Sequence, residues 1–433
     1  MKIENFRTEE NNSRVRVSAS VTWENVDRQS LDVFIETDEK FAASLDINPH
    51  SFLIPGAVTA MHHAEERVYI DAEICPELNE NLTAALQWIR HWYESYPSSK
   101  NFLRIDAKGY CKNVTNHLHK KAGFFLSGGV DSLATLRSNR LRFPSNHPGF
   151  FKYGLFVQGL EIENPKIFEY VRKSMSDLAK EAGFTLIPVY TNMRSLDDDW
   201  TFWGDEFEGA VFASIAHAFS KLFSVVSLAS TFEIPYVHPH GSHPLLDCNY
   251  SSYDLRIRHD LITLSRLEKI RLLSDWDPAL RHLRVCQKSE LYQSNQFNCS
   301  QCEKCVRTMM ELLVFGALDR STAFQKTYVT EEMVNKTISL TDTTYPFYPE
   351  LYIALVDSKR YDLARAVQQK IVHYKEPKWK TNLKKIVRYK EPEWKTNSKI
   401  GFMSLLLEID RIFFKDKLKQ NHGLKKLKGL IFS

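Results

Sequence analysis

The feature that most constrains this chain is a run of nine residues, Phe124-Phe125-Leu126-Ser127-Gly128-Gly129-Val130-Asp131-Ser132. The apolar run from Ala122 to Leu126 reads as a buried parallel strand and Leu133 onward as a helix, so the polar segment is the turn between them. Two glycines let such a turn bend sharply and bring backbone N–H groups close to a ligand. Ser127 and Ser132 add hydroxyl donors, and the following helix presents its positive end. Together these parts make an anion cradle suited to phosphates. Asp131 is the odd member, because a carboxylate repels bound phosphate unless a cation lies between them. It reads as a Mg2+ ligand or as a group that orients the loop. The plainer alternative is a Gly-Gly turn with capping serines.

From about residue 120, strands and helices alternate, which points to an α/β fold with a doubly wound parallel sheet. Further strands are expected at Tyr153 to Val157, Thr185 to Tyr190 and Ser224 to Ala229. Ligands of open α/β sheets sit beyond the carboxyl ends of the strands. That rule brings Ser127 to Ser132, Gln158 to Glu161, Thr191 to Arg194 and Ser230-Thr231 to one rim. After the fourth strand comes a loop with three histidines, His238 to Asp247, punctuated by glycine and proline. Imidazoles there can bind a metal, donate to phosphate or shuttle protons. Gly241, Ser242, His243 and Asp247 are its candidate substrate contacts, and a rigid loop of satisfied histidines is the alternative. Arg266 and Lys269, three residues apart, share a helix face that can meet phosphate or simply be solvated.

Four of the seven cysteines are spaced C-x12-C-x2-C-x2-C: Cys286, Cys299, Cys302 and Cys305. Thiolates at this spacing can occupy the vertices of a tetrahedron, which favours Zn2+ over an iron–sulfur cluster. A closed four-thiolate shell has no vacant position for water, so the expected role is structural. Lys304 and Arg307, within and just after the cluster, are candidates to face the substrate.

The turn resembles the Ser-Gly-Gly-x-Asp-Ser signature of the PP-loop ATP pyrophosphatases, with every fixed position present. It lacks the Gly-Lys-Ser/Thr ending of a Walker A loop. The resemblance implies an adenine-nucleotide α-hydrolase-like fold that cleaves ATP between its α and β phosphates. The substrate is adenylated, pyrophosphate leaves, and a nucleophile displaces AMP. In that family the second and third strand ends hold the adenosine, which makes Gln158, Thr191 and Asn192 candidate contacts beside Ser127 to Ser132. Asp131, Ser132, Arg266 and Lys269 are the candidate catalytic groups. With the cysteine loop and its nearby arginine, the chain is similar to 7-cyano-7-deazaguanine synthases over roughly residues 120–320. Those enzymes use ATP and ammonia to turn a carboxylate into an amide and then a nitrile, with structural zinc. The extra N-terminal part, the long gap from Cys286 to Cys299 and a basic tail depart from that pattern, and they leave the substrate open.

At 433 residues the chain has room for two or three domains. Residues 1–115 read as a separate strand-rich domain of α+β type, with strands near Arg14 to Val21, Leu31 to Ile35 and Val68 to Ala72 and a helix from Leu78 to Tyr96. His62 and His63 read there as ordinary side chains. Residues 116–320 form the expected nucleotide-binding domain, with its zinc loop at 286–305, and 321–369 a helical extension. Residues 370–433 form a basic arm. Lys370 to Lys384 recurs as Lys385 to Lys399 with three of fifteen positions changed. From Lys370 to Ser433 there are 17 Lys and Arg against 6 Asp and Glu, so a net +4 hides a local +11 and a remainder of −7.

The arm's aromatic and basic residues suit contact with RNA, a phospholipid surface or a partner protein. Its solvated, semi-flexible character is the plainer expectation. Ile400 to Leu418 has an amphipathic helical pattern that can dock on the body or on another chain, which keeps a homodimer in view. No apolar leader and no run of about 18 apolar residues is found, and the cysteine usage fits a reducing compartment, so a cytoplasmic protein is expected.

The favoured expectation is an ATP-dependent ligase that adenylates a small-molecule carboxylate for amide or nitrile formation with ammonia or an amine. Its cofactors are ATP, Mg2+ and a structural Zn2+. An RNA base thiolase or ligase is the alternative; thiolation needs a catalytic cysteine, for which Cys75, Cys111 and Cys248 are the candidates. A non-catalytic nucleotide-binding partner protein is the third.

Overall fold

Ten strands join edge to edge in the computed structural model, which describes residues 1–93, 102–112, 119–160, 162–286, 288 and 297–387, with side chains described through residue 374 apart from residue 11. In chain order they are β1 (Lys2–Asn11), β2 (Arg14–Thr22), β3 (Leu31–Asp38), β4 (Arg67–Ile74), β5 (Arg104–Tyr110), β6 (Lys121–Phe125), β7 (Phe151–Gln158), β8 (Thr185–Thr191), β9 (Phe223–Ala229) and β10 (Arg256–Asp260). Across the sheet they run β10-β9-β6-β7-β8-β3-β2-β1-β4-β5. All pairings from β10 to β8 are parallel. From the central β6 the chain moves one way through β7 and β8, then returns to the other side of β6 with β9 and β10. The carboxyl ends of β6 and β9 therefore flank the switch point, where a crevice opens in such sheets.

Sequence explains why this half is parallel and central. Ala122 and Phe124 of β6 pack with the helices Val130–Arg142, Pro165–Ala182, Arg266–Ser274 and Glu303–Val314. Phe125 turns to the other face, covered by the helices His50–His62 and Glu208–Ala218. Strands buried on both faces need near-continuous apolar runs, as β6, β8 and β9 have.

The boundary expected at residue 115 falls inside this sheet. β3 pairs antiparallel with β8, Ile35 opposite Thr191, so the N-terminal strands extend the central sheet. Alternating residues reveal that β3 has a buried face. They carry no information on which strand it pairs with, because the partner lies about 150 residues away. One compact unit covers Met1–Tyr374. The extension at 321–369 is helical, with Glu331–Thr337 and Tyr348–Asp357 as two of its helices. Tyr348, Leu351 and Leu355 enter the core of this unit.

A helix spanning Tyr361–Val387 takes in the first copy of the duplicated segment. The end of the second copy and the amphipathic stretch Ile400 to Leu418 lie outside the described residues. No helix among the described residues is long and apolar enough to cross a membrane.

Candidate functional site

A cavity of about 430 Å³ opens at the carboxyl ends of β6 and β9. Its floor is the turn after β6. Gly128 sits at φ +77°, where a side chain is strained, and a Cβ there would also lie 3.0 Å from Met175 Sδ. The turn holds its own shape. Ser127 N–H reaches Ser132 Oγ at 3.3 Å, Gly129 N–H reaches Ser127 Oγ at 3.2 Å, and the two serine oxygens are 3.1 Å apart. No side chain caps the helix Val130–Arg142 that follows. Its first-turn N–H groups thus lack both an intrahelical acceptor and a side-chain cap, the condition under which a helix end accepts an anion.

Of the two cations expected on one helix face, Lys269 is placed differently from expectation and Arg266 is not. Lys269 is fully buried, with Nζ 2.9 Å from Asp131 Oδ1 and bonded also to the carbonyl oxygens of Ser230 and Thr231. It pins the β6 turn to the end of β9 and does not line the cavity, which corrects its reading as a phosphate-facing group. Asp131 lines the cavity and is tethered through one oxygen, which favours the orienting role and leaves Oδ2 outside that contact. Arg266 does reach the cavity, held by Glu311 (Nε to Oε1 3.0 Å) and Thr308 Oγ1 (3.0 Å). Burial pushes the Glu311 carboxyl up, against the pull of Arg266.

Ser127, Gly129, Val130 and Ser132 also line the cavity, as do Ser242, His243, Lys304 and Arg307. The remaining candidates do not. Gly128 shapes the turn from behind. Thr191 and Asn192 hold β3 to β8: Thr191 Oγ1 donates to Phe34 O at 2.6 Å, and Asn192 bonds Phe34 N–H and Asp32 O, both at 2.8 Å. The rule for strand ends misled here because an antiparallel neighbour already occupies that edge. Gln158 turns to the carbonyl of Glu163 (3.1 Å). Gly241 is a packing glycine whose Cβ would lie within 3 Å of the backbone at Phe207 and Glu208.

Asp247 is fully buried behind the cavity wall and works through others. Its Oδ2 accepts from Ser242 Oγ at 2.8 Å and lies 2.7 Å from His259 Nδ1. His259, at the end of β10, lines the cavity and was not singled out from the sequence. Nδ1 is engaged by the carboxylate, so Nε2 is the ring nitrogen left for a ligand. His243 Nδ1 accepts from Leu245 N–H at 3.0 Å; burial and then His259 push its pKa down to about 4, so it stays neutral. Among the described residues the histidines of this loop do not converge as a metal-ligand set. Arg284 was missed too. Its backbone N–H bonds Gly128 O at 2.8 Å and its Nε bonds Ser127 O at 3.2 Å, which braces the turn. The available signal was its place two residues before Cys286.

The four cysteine sulfurs lie within 4.8 Å of one another. Cys299 Sγ is 3.9 Å from Cys305 Sγ and Cys302 Sγ is 3.8 Å from Cys286 Sγ. A tetrahedron of ~2.3 Å Zn–S bonds has edges of about 3.8 Å, so these spacings fit a structural metal such as zinc. Hydrogen bonds from Cys302 and Cys305 hold the Cys286 thiol far below its usual range, and the shared proton pushes Cys302 up to about 12. Cys286 borders the cavity, which ties the cluster to the site wall.

Compared with known protein families, with curated proteins and with solved structures, the chain matches none.

Proposed function

We propose that the protein is an ATP-dependent adenylating enzyme, which splits ATP into AMP and pyrophosphate and activates a small-molecule carboxylate for attack by ammonia or an amine. One observation carries the reading: an uncapped helix end on a glycine-bent, serine-braced turn opens onto a cavity of about 430 Å³ at the switch point of the sheet. In this reading the triphosphate lies on the N–H groups of the Val130 turn, and Ser127 and Ser132 complete the cradle. Asp131, held by Lys269 through Oδ1, would use Oδ2 to hold Mg2+. When bound, the ion offsets the charge of the departing pyrophosphate. Arg266 adds positive charge on the same wall. His259, oriented by Asp247, takes the proton that the attacking amine releases. Cys75, Cys111 and Cys248 do not line the cavity, so thiolation chemistry has no support from it.

The test is pyrophosphate release by the full chain with Mg-ATP and pools of small acids. Release that depends on one acid, with affinity for ATP reduced about tenfold by Ser132→Ala, supports the reading; tenfold equals about 1.4 kcal/mol. Tight ATP binding without pyrophosphate release for any acid tells against it.

A further inference from the structure

We propose that Arg307 is the carboxylate receptor of the site, the group that grips the acid to be activated; this rests on the adenylating reading above. Arg307 lies on the helix Glu303–Val314, lines the cavity and is only 2% exposed. Its Nε is 3.2 Å from Glu303 Oε1, yet neither Nε nor Nη1 has a hydrogen-bond acceptor. Each carboxylate nearby has another partner. Glu303 Oε1 accepts from Tyr348 OH at 2.6 Å, and both oxygens of Glu311 face Arg266 Nε, at 3.0 and 3.2 Å. The Phe347 ring lies 4.3 Å from the guanidinium carbon and fixes the plane of the group.

A buried guanidinium with two donors unmet carries a desolvation cost that the single ion pair with Glu303 does not fully offset, and Glu303 would keep Tyr348 if the guanidinium were removed. Its retention on the wall of a cavity makes sense where a ligand brings the missing acceptor. A guanidinium presents parallel N–H donors that match the two oxygens of a carboxylate. Phosphate shares that chemistry, but in this site the β6 turn already offers a phosphate its own donors. The acid would then lie between Arg307 and the nucleotide, its carboxylate held while one oxygen attacks the α phosphorus, the α–β P–O bond breaks and pyrophosphate leaves.

Thermal unfolding of the full chain tests this without knowing the substrate. The proteins are wild type, Arg307→Met and Arg307→Lys. The probes are acetate and benzoate, their neutral counterparts acetamide and benzamide, Mg-pyrophosphate and Mg-ATP, all at matched ionic strength. Without ligand, Arg307→Met should unfold at or above the wild-type temperature. A carboxylate at about tenfold its Kd should raise the wild-type midpoint by about 2 °C and leave Arg307→Met unmoved, with Arg307→Lys in between. The amides should shift none of the three, and Mg-ATP and Mg-pyrophosphate should shift all three equally.

The proposal is overturned if neither carboxylate shifts the wild type, or if Arg307→Met responds as the wild type does. It is equally overturned if Arg307→Met is less stable without ligand, since Arg307 would then be a structural partner of Glu303. Loss of the Mg-pyrophosphate or Mg-ATP shift in Arg307→Met alone overturns it by assigning Arg307 to phosphate. No Mg-ATP shift in the wild type would instead contradict the adenylating reading, while the carboxylate series stays readable.

Discussion

The N-terminal half of the sheet and the rim beyond β6 and β9 treat their charges in opposite ways. On β2 and β3, buried Glu36 is shared by Arg14 (3.1 Å) and Arg16 (2.9 Å), and the set is complete. Elsewhere in the scaffold, His63 Nε2 lies 2.7 Å and Arg28 Nη1 3.4 Å from Asp197 Oδ2. His62, His63 and Asp197 lie close enough to suggest a metal site, but that carboxylate already carries a guanidinium. At the rim, Arg307 Nε and Nη1 have no hydrogen-bond partner beyond the ion pair with Glu303, and behind the wall Asp247 Oδ1 has none. The Glu36 set closes on itself, whereas Arg307 on the cavity wall keeps donors that a ligand can meet.

Perturbations of the two regions should therefore differ in kind as well as size. The largest effect is expected at the sulfur cluster, where Cys305→Ser should abolish metal binding. Zinc at such a site is worth on the order of 10 kcal/mol of folding free energy. Metal content and a cooperative melt report it, and an unchanged melt with no metal would remove the cluster from the structural account. Asp131→Asn comes next, because it strands the buried Lys269 charge, and a loss of about 3–5 kcal/mol by denaturant titration is expected. Adding Lys269→Met should restore part of that loss; strict additivity would mean the two do not act as a pair.

The scaffold core supplies an acid limb. His217 is fully buried with Nε2 2.8 Å from Tyr250 O, and burial pushes its pKa down to about 4. An unfolded histidine titrates near 6.5, so on acidification the unfolded chain takes up the proton first. Stability from this group is complete above about pH 6.5 and is lost between there and pH 4, by about 3 kcal/mol. Stability measured from pH 7 to pH 4 should fall accordingly, and less steeply in His217→Gln. The neighbouring His50, whose pKa burial also lowers, and His243 add to the slope. The smallest effect is expected from Glu36→Gln, about 1 kcal/mol, because its two arginines are partly exposed. ATP affinity should not change in that variant, and a change would mean that the two regions are coupled.

What could be read from the sequence was what is contiguous or regularly spaced. The strand, turn and helix around Gly128 and the four cysteines are local patterns, and their spacings survive in three dimensions. Lys269 and Asp131 are 138 residues apart, and a cationic helix face looks the same whether it meets phosphate or a buried carboxylate. Thr191 and Asn192 sit where ligands usually bind, but their side chains fasten β3, whose pairing is non-local. His259 ends a short strand with no motif around it, and only the fold brings it to Asp247. Phe347 likewise comes from the helical extension, whose sequence gave no reason to place it over Arg307.

The central claim is that the turn at Gly128 binds the triphosphate of ATP. A structure of the full chain with Mg2+ and the α,β-methylene analogue of ATP tests it most directly. The account predicts phosphate oxygens within about 2.7–3.2 Å of the backbone N–H groups at Val130 to Ser132, with the metal on Asp131. A triphosphate bound elsewhere, with the turn unaltered, would contradict it.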